Sequence, residues 1–199
     1  SGLVGSEMCI RDRPAAGRSR RMGEPKLLLP WGEHRVIDQV LMSWTQSVVD
    51  EVVLVVRKKD TELRLACEKW PVTVVTPLLD PEDMKASVIA GLQWLQQHAN
   101  PSECDGCFVC PADVPGISPE LIDCLMACYR RREGEATDEL CPPLVVPRFG
   151  DRPGHPSLFS WMTTREIPSL PERVGLNHLV EQLTKRYVEF PAEARLPDM

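Results

Sequence analysis

Residues 15–26 combine glycine, arginine and lysine at a density that a packed core does not accommodate. The run reads Ala15-Ala16-Gly17-Arg18-Ser19-Arg20-Arg21-Met22-Gly23-Glu24-Pro25-Lys26. Glycine lets backbone N–H groups approach an anion closely, arginine offers a planar fork of donors, and lysine offers a compact charge. This composition predicts a loop that holds the phosphates of a nucleoside triphosphate. The alternative is a basic, solvated surface loop that binds nothing.

The spacing within this loop differs from two common phosphate-binding motifs. The P-loop requires G-x-x-x-x-G-K-[ST], whereas here Lys26 comes three residues after Gly23 and Leu27 follows it. The dinucleotide motif G-x-G-x-x-G is also missing, because Ser19 and Arg20 stand where its second glycine would lie. The pattern A-A-G-x-S-x-R-M-G-x-P-K instead resembles the loop of the molybdenum cofactor nucleotidyltransferases, above all that of the molybdenum cofactor cytidylyltransferases.

This resemblance implies a role for each part of the loop, which in that family wraps the triphosphate of the incoming nucleotide. The implied nucleotide-binding residues are Ala15, Ala16, Gly17, Arg18, Ser19, Gly23 and Lys26, and the implied catalytic residues within the loop are Arg21 and Lys26. Family members with Ala-Ala-Gly tend towards cytidine and those with Ala-Gly-Gly towards guanosine. Ala16 therefore favours CTP over GTP as the substrate.

A second candidate site follows the apolar run that ends at Cys110. Asp113 lies just beyond it, and ligands of open α/β sheets bind at the carboxyl ends of strands. Triphosphate chemistry needs magnesium, which takes one or two protein carboxylates together with phosphate oxygens. In the resembling family an Asp followed two residues later by Pro binds the metal, which implies that Asp113, before Pro115, is the Mg²⁺ ligand and a catalytic residue. The alternative is a turn aspartate that caps the loop before Ser118.

Two further candidates rest mainly on the resemblance. Gly154-His155-Pro156 matches a family segment near the acceptor, so His155 is a candidate to donate to the acceptor phosphate or to position a metal; the alternative is a structural histidine. Ser87, at the start of a predicted helix, matches a segment near the nucleotide base, and is equally an ordinary first-turn residue. Residues 175–178 differ from the corresponding segment of the family, so the identity of the acceptor is not decided by the resemblance.

Composition and charge limit the class of protein. The chain has 199 residues, 43% of them hydrophobic, which suits one domain with a real core. The net charge of −6 argues against a general nucleic-acid binder, which needs a broad basic face. No apolar run approaches the ~20 residues of a membrane span, so no membrane association is expected.

The eight cysteines include C-x-x-C-x-x-C at Cys104, Cys107 and Cys110, which resembles half of an iron–sulfur motif. Cys107 and Cys110 fall in or beside a predicted strand and therefore point to opposite faces, so they cannot easily share a metal. We expect packed thiols, with a structural metal as the minor alternative. Scattered cysteines without a secretory signal favour a reducing cytoplasm.

The beginning of the chain is unlike the strand that the resembling family places before the loop. Arg11, Asp12 and Arg13 do not suit a buried parallel strand, and Pro14 cannot donate to one. Residues 1–13 also resemble translated adapter sequence. Our hypothesis is that residues 1–13 are a foreign segment that replaces a native first strand, and that residues 14–199 form a single nucleotidyltransferase domain. The alternative is a divergent N-terminus that pairs weakly through residues 8–10.

The rest of the chain alternates helix and strand patterns. Helices are predicted over 36–48, 60–70, 85–98 and 118–132 and within 172–185, and strands over 51–56, 72–75, 107–110, 144–147, 157–159 and 187–190. The polar stretch 134–143 is predicted to be a surface loop. This alternation predicts a three-layer α/β/α fold with a mainly parallel, Rossmann-like sheet.

The resemblance implies transfer of CMP from CTP to a phosphorylated acceptor, the molybdopterin cofactor, with release of pyrophosphate and with Mg²⁺ as the metal. Two alternatives stay open: a nucleotidyltransferase for a sugar phosphate or another small phosphorylated acceptor, and a non-catalytic cofactor-binding module. The expected partners are small-molecule substrates, with a molybdenum hydroxylase or its maturation factor as the candidate partner protein, and the expected location is the cytoplasm.

Overall fold

Helices and strands alternate along the part of the chain that the structure, a computed structural model, describes: residues 26–131 and 141–192. The helices are α1 (Val36–Thr45), α2 (Thr61–Cys67), α3 (Met84–His98), α4 (Pro119–Arg130), α5 (Trp161–Thr164) and α6 (Leu176–Gln182). The strands are β1 (Pro30–Trp31), β2 (His34–Arg35), β3 (Val53–Val55), β4 (Thr73–Val75), β5 (Gly106–Val109), β6 (Leu144–Phe149), β7 (Arg152–Pro153), β8 (Ser157–Ser160) and β9 (Lys185–Phe190). The predicted elements are confirmed to within a few residues, whereas the short β1–β2 hairpin, β7 and the one-turn helix α5 were not predicted.

The buried strands place alternate side chains in two separate cores. Leu54 of β3, Phe108 of β5 and Val145 of β6 belong to one core, and the residues on either side of each belong to the other. This is the period of two that a strand imposes. Helices α1, α2 and α4 cover the first core, and α3, α5 and α6 cover the second. The predicted three-layer α/β/α, Rossmann-like class is therefore confirmed.

One strand of the sheet, β8, runs against its neighbours, which the sequence did not predict. The β3–β4 and β6–β9 pairs are parallel, but β8 lies antiparallel between β5 and β6. The reason is the connection: β6, β7 and β8 follow one another through short turns, and a parallel return would need a crossover of a dozen or more residues. Because β5 and β6 both run against β8, they run in the same direction as each other and as β9.

Local sequence explains why α4 begins where it does. Ser118 caps the helix, its hydroxyl accepting a hydrogen bond from the N–H of Leu121 at 3.3 Å, and Pro119 occupies the first turn. Both features were predicted. Since α4 packs its apolar face on the first core, this cap determines where the loop that leaves β5 must end.

Some sequence predictions fall on residues for which no structure is described. These are the foreign-segment hypothesis for residues 1–13, most of the phosphate loop, and residues 134–140 of the predicted surface loop. Among the described helices the longest, α3, has 15 residues, and none has the apolar length that crossing a bilayer requires.

Candidate active site

Lys26 and Asp113, 87 residues apart in sequence, meet in the structure. The Lys26 Nζ atom donates a hydrogen bond to Asp113 Oδ2 at 3.0 Å, and the two side chains are 29% and 37% exposed. Leu27, directly after the lysine, is fully buried in the first core and anchors this end of the phosphate loop. The structure therefore places the last residue of the predicted phosphate loop against the predicted metal ligand.

The loop after β5 directs the Asp113 carboxylate towards solvent because its neighbours pack inward. Ala112 is fully buried in the first core, and Val114 packs against that core. Asp113 lies between them, four residues beyond the end of β5. A short acidic side chain held between two apolar anchors leaves its oxygens available at the carboxyl end of the strand.

His155 lies at the same edge of the sheet as Asp113. The first residue of β8, Ser157, pairs with Val109, the last residue of β5. Because β8 starts where β5 ends, the segment before β8 and the segment after β5 emerge together. His155 precedes Ser157 by two residues and is exposed. The topology thus gathers Lys26, Asp113 and His155 at one edge.

Gly154 has a packing reason to be glycine. A Cβ atom added to this residue would come within 2.6 Å of Cε2 on the ring of Phe149, which is too close for any side chain. The Gly154 N–H also donates to the carbonyl of Pro147 at 2.9 Å. Phe149 was not identified from the sequence, and it is the residue against which the turn carrying His155 packs. The sequence alone gives no signal for this contact, because Phe149 and Gly154 meet only through the pairing of β6 with β7.

Ser87 is buried at the start of α3. It is 2% exposed, and its hydroxyl donates to the carbonyl of Asp83 at 3.2 Å. The carboxylate of Asp83 in turn accepts from the N–H of Ala86 at 2.7 Å. The start of α3 thus satisfies several of its polar groups internally, and a contact of Ser87 with the nucleotide stays a prediction.

Lys85, next to these residues, was not singled out from the sequence. Its ammonium donates to the carbonyls of Leu170, Pro171 and Glu172 at 3.4, 2.7 and 3.2 Å. These bonds tie the start of α3 to the segment that leads into residues 175–178. The side chain of Lys85 therefore serves as an anchor between two loops.

The remaining predicted site residues lie outside the described residues. They are Ala15, Ala16, Gly17, Arg18, Ser19, Arg21 and Gly23. Their roles therefore stay predictions, and of the phosphate loop the structure describes Lys26.

Asp113 is the residue at this edge that the sequence predicts to bind a metal. Within residues 26–131 and 141–192, no three His, Cys, Asp or Glu side chains are grouped so that they could hold a metal ion. Cys107 and Cys110 lie in opposite cores, as their spacing predicted. Asp113 already has a cation, the Lys26 ammonium, at 3.0 Å. A hard oxygen ligand at an exposed edge fits Mg²⁺, which fills its other positions with water and phosphate oxygens.

Comparison with known proteins finds relatives of this chain among the molybdenum cofactor guanylyltransferases. A probable molybdenum cofactor guanylyltransferase of Methanosarcina mazei is 33% identical over 165 residues, which is 80% of this chain and 66% of that protein. A molybdenum cofactor guanylyltransferase of Xanthomonas euvesicatoria is 30% identical over 64% of this chain and 59% of its own length. The chain thus spans less than two thirds of the length of these relatives.

Solved structures show the same fold. The Rv0371c protein of Mycobacterium tuberculosis has a TM-score of 0.73 at 24% identity, over 96% of this chain and 90% of its own, and it was also solved in complex with manganese. A 4-diphosphocytidyl-2C-methyl-D-erythritol synthase has a TM-score of 0.73 at 15% identity, over 100% of this chain and 94% of its own. Residues 14–187 match the MobA-like NTP transferase domain, a span that includes the phosphate loop, Asp113 and His155, and the chain belongs to that family.

Proposed function

We propose that this chain transfers a nucleotidyl group from a nucleoside triphosphate to a phosphorylated acceptor and releases pyrophosphate. The observation that carries the proposal is the 3.0 Å contact between Lys26 and Asp113. It joins the end of a cationic, glycine-rich loop to a carboxylate at the carboxyl edge of the sheet. Membership of the MobA-like NTP transferase domain family supports the same reaction class.

Lys26 is suited to hold negative charge on the phosphates. A lysine ammonium has three donors, and one of them is used on Asp113 in the structure. The proposal gives this ammonium a second task, which is to donate to oxygens of the bound triphosphate. In the proposal, Arg21 and the backbone N–H groups of residues 15–19 supply the other donors to the β- and γ-phosphates. Their common task is to hold the triphosphate in position and neutralise its charge.

Asp113 is the residue proposed to hold magnesium. When bound, this ion would neutralise phosphate charge and make the α-phosphorus a better electrophile. The attacking group is a phosphate of the acceptor, which is already an anion at neutral pH, so no side chain has to remove a proton from it. His155, exposed at the same edge, is proposed to donate a hydrogen bond to the acceptor phosphate. Catalysis by this chain is then mainly positioning and charge stabilisation.

The nucleotide is proposed to be CTP, because a methyl group at Ala16 narrows the space that a purine would need. GTP is the second candidate, and a specific observation favours it: the relatives from Methanosarcina mazei and Xanthomonas euvesicatoria are named guanylyltransferases. The acceptor is proposed to be the molybdopterin cofactor, which agrees with those names, and a molybdenum hydroxylase or its maturation factor is the proposed recipient. We place the reaction in the cytoplasm, as the cysteine usage suggests.

The test is pyrophosphate release with CTP or GTP, with and without Mg²⁺, and with molybdopterin or a sugar phosphate as acceptor. We expect release that requires Mg²⁺ and molybdopterin, is faster with CTP, and is lost in Asp113→Asn. Glu62→Gln, the same chemical change at an exposed carboxylate on α2, should leave the rate unchanged. Nucleotide binding without pyrophosphate release would favour the non-catalytic module, and full activity in Asp113→Asn would remove Asp113 from the mechanism.

A further inference from the structure

Two cysteines that the proposed reaction does not use lie against each other. The sulfur atoms of Cys104 and Cys141 are 2.7 Å apart, although 37 residues separate them in sequence. This approach is closer than ordinary contact between two sulfur atoms that share no bond. Cys104 belongs to the C-x-x-C-x-x-C run, but its partner in space comes from outside that run.

The backbone around Cys104 is held firmly. Its carbonyl accepts a hydrogen bond from the Tyr129 hydroxyl at 3.0 Å. The carbonyls on either side are also occupied: that of Glu103 accepts from the N–H of Met162 at 3.0 Å, and that of Asp105 accepts from the N–H of Trp161 at 2.8 Å. Cys104 therefore presents its sulfur from a fixed position.

Cys141 is brought to the same place by the sheet. It lies three residues before β6, whose first residue, Leu144, pairs with Phe159 of β8. On the other side of β8, Gly106 at the start of β5 pairs with Ser160. Both cysteines therefore precede strands that begin at the same end of β8, and Pro143 is held there because its carbonyl accepts from the N–H of Ser160 at 3.2 Å.

The pair is accessible and lies away from the proposed site. Both cysteines are half-buried, so a small molecule can reach them. They lie at the start of β5, whereas Asp113 follows its other end. Tyr129 lies beside them, and burial raises the pKa of its hydroxyl, so it remains a hydrogen-bond donor.

We propose that Cys104 and Cys141 form a reversible intramolecular disulfide when the protein meets a hydroperoxide. One thiol loses its proton and attacks a peroxide oxygen, which breaks the O–O bond and gives a sulfenic acid and, for hydrogen peroxide, one water. The second thiol attacks the sulfenic sulfur, the S–S bond forms, and a second water leaves. The two sulfurs together lose two electrons, and the peroxide gains them.

The disulfide is expected to stabilise the fold without changing the reaction. It would close a ring that contains β5, the Asp113 loop and α4, and so restrict the unfolded chain. For a ring of this length the loop-entropy model and the usual scaling of the melting temperature together give an increase of up to about 15 °C.

The experiment is peroxide treatment of the full chain, alkylation with N-ethylmaleimide, digestion by a protease that cleaves before aspartate, and mass spectrometry. Cleavage before Asp83, Asp105, Asp138 and Asp151 places Cys104 alone in residues 83–104 and Cys141 alone in residues 138–150. We expect these two peptides to be linked, with a mass two hydrogens below their sum. Dithiothreitol should separate them, and the melting temperature of the oxidised protein should be higher.

Matched variants decide the outcome. Cys141→Ser and Cys104→Ser should each remove both the link and the thermal shift, whereas Cys124→Ser, at an exposed cysteine on α4, should keep both. The proposal is overturned if both peptides carry N-ethylmaleimide after peroxide treatment, if Cys104 becomes a sulfinic acid without a link, or if the link persists in Cys141→Ser through another cysteine.

Discussion

Replacing Lys26 by methionine should abolish most of the activity while leaving the fold nearly as stable as before. At 3.0 Å, Coulomb's law gives about 1.4 kcal/mol for the pair with Asp113 in bulk water. Since the two side chains are 29% and 37% exposed, solvent screening and lost side-chain entropy reduce the net stabilisation to about 0–1 kcal/mol. The methionine keeps most of the apolar stem, so the melting temperature should fall by at most about 4 °C.

The effect on the reaction should be much larger. A charged donor aimed at phosphates in the transition state typically contributes about 3 kcal/mol, so pyrophosphate release should slow by about 100-fold or more. The assays are pyrophosphate release under saturating nucleotide and thermal unfolding of the same preparation. Lys69→Met is the matched control, because Lys69 is an exposed lysine beyond α2. A Lys26→Met protein with normal turnover would refute the assignment of Lys26 to phosphate binding. One that melts more than about 10 °C lower would refute the conclusion that the pair with Asp113 adds little to stability.

Three further predictions concern packing, titration and capping. Gly154→Ala should lower the free energy of unfolding by about 1–3 kcal/mol, because the new methyl group meets the Phe149 ring. Gly175→Ala adds a methyl group with no atom within 4 Å, and should cost at most about 1 kcal/mol in the same urea titration, through the poorer cap of α6 alone. Burial, followed by the charges of Asp38 and Glu68, raises the pKa of the Cys67 thiol from 9.0 to about 12. Because folding raises this pKa, the stability that the protonated thiol contributes is complete below pH 9 and is lost as the pH rises towards 12. Between pH 9 and pH 11 the free energy of unfolding, measured in urea, should therefore fall less in Cys67→Ala than in the parent. Equal losses would contradict this. Ser118→Ala should destabilise the protein by about 1 kcal/mol through loss of the α4 cap, and no change in the urea midpoint would mean that the observed hydrogen bond contributes nothing.

Much of the fold could be predicted because it depends on short-range patterns. The apolar run at 51–56 and the helical spacing after Val36 identify β3 and α1 from neighbouring residues alone. Ser118 with Pro119 marks the start of α4 for the same local reason. These signals can be recognised without knowledge of the rest of the chain, because the interacting residues lie within one or two helical turns of each other.

The direction of β8 could not be predicted in this way. Residues 157–160 have an ordinary strand pattern, and the same pattern suits a parallel or an antiparallel neighbour. The choice depends on the short turns from β6 through β7, which leave no room for a crossover helix. That choice in turn places His155 beside the end of β5.

The amino-acid sequence by itself determined the local elements, the composition of the predicted phosphate loop and the position of Asp113 just after a buried strand, because each depends on residues close together along the chain. The tertiary structure alone decided which distant residues meet: Lys26 with Asp113, Gly154 with Phe149, and Cys104 with Cys141. These contacts arise only when both cores pack and the strands take their order. Bringing together residues tens of positions apart costs loop-closure entropy, and burial across the whole sheet is what offsets it.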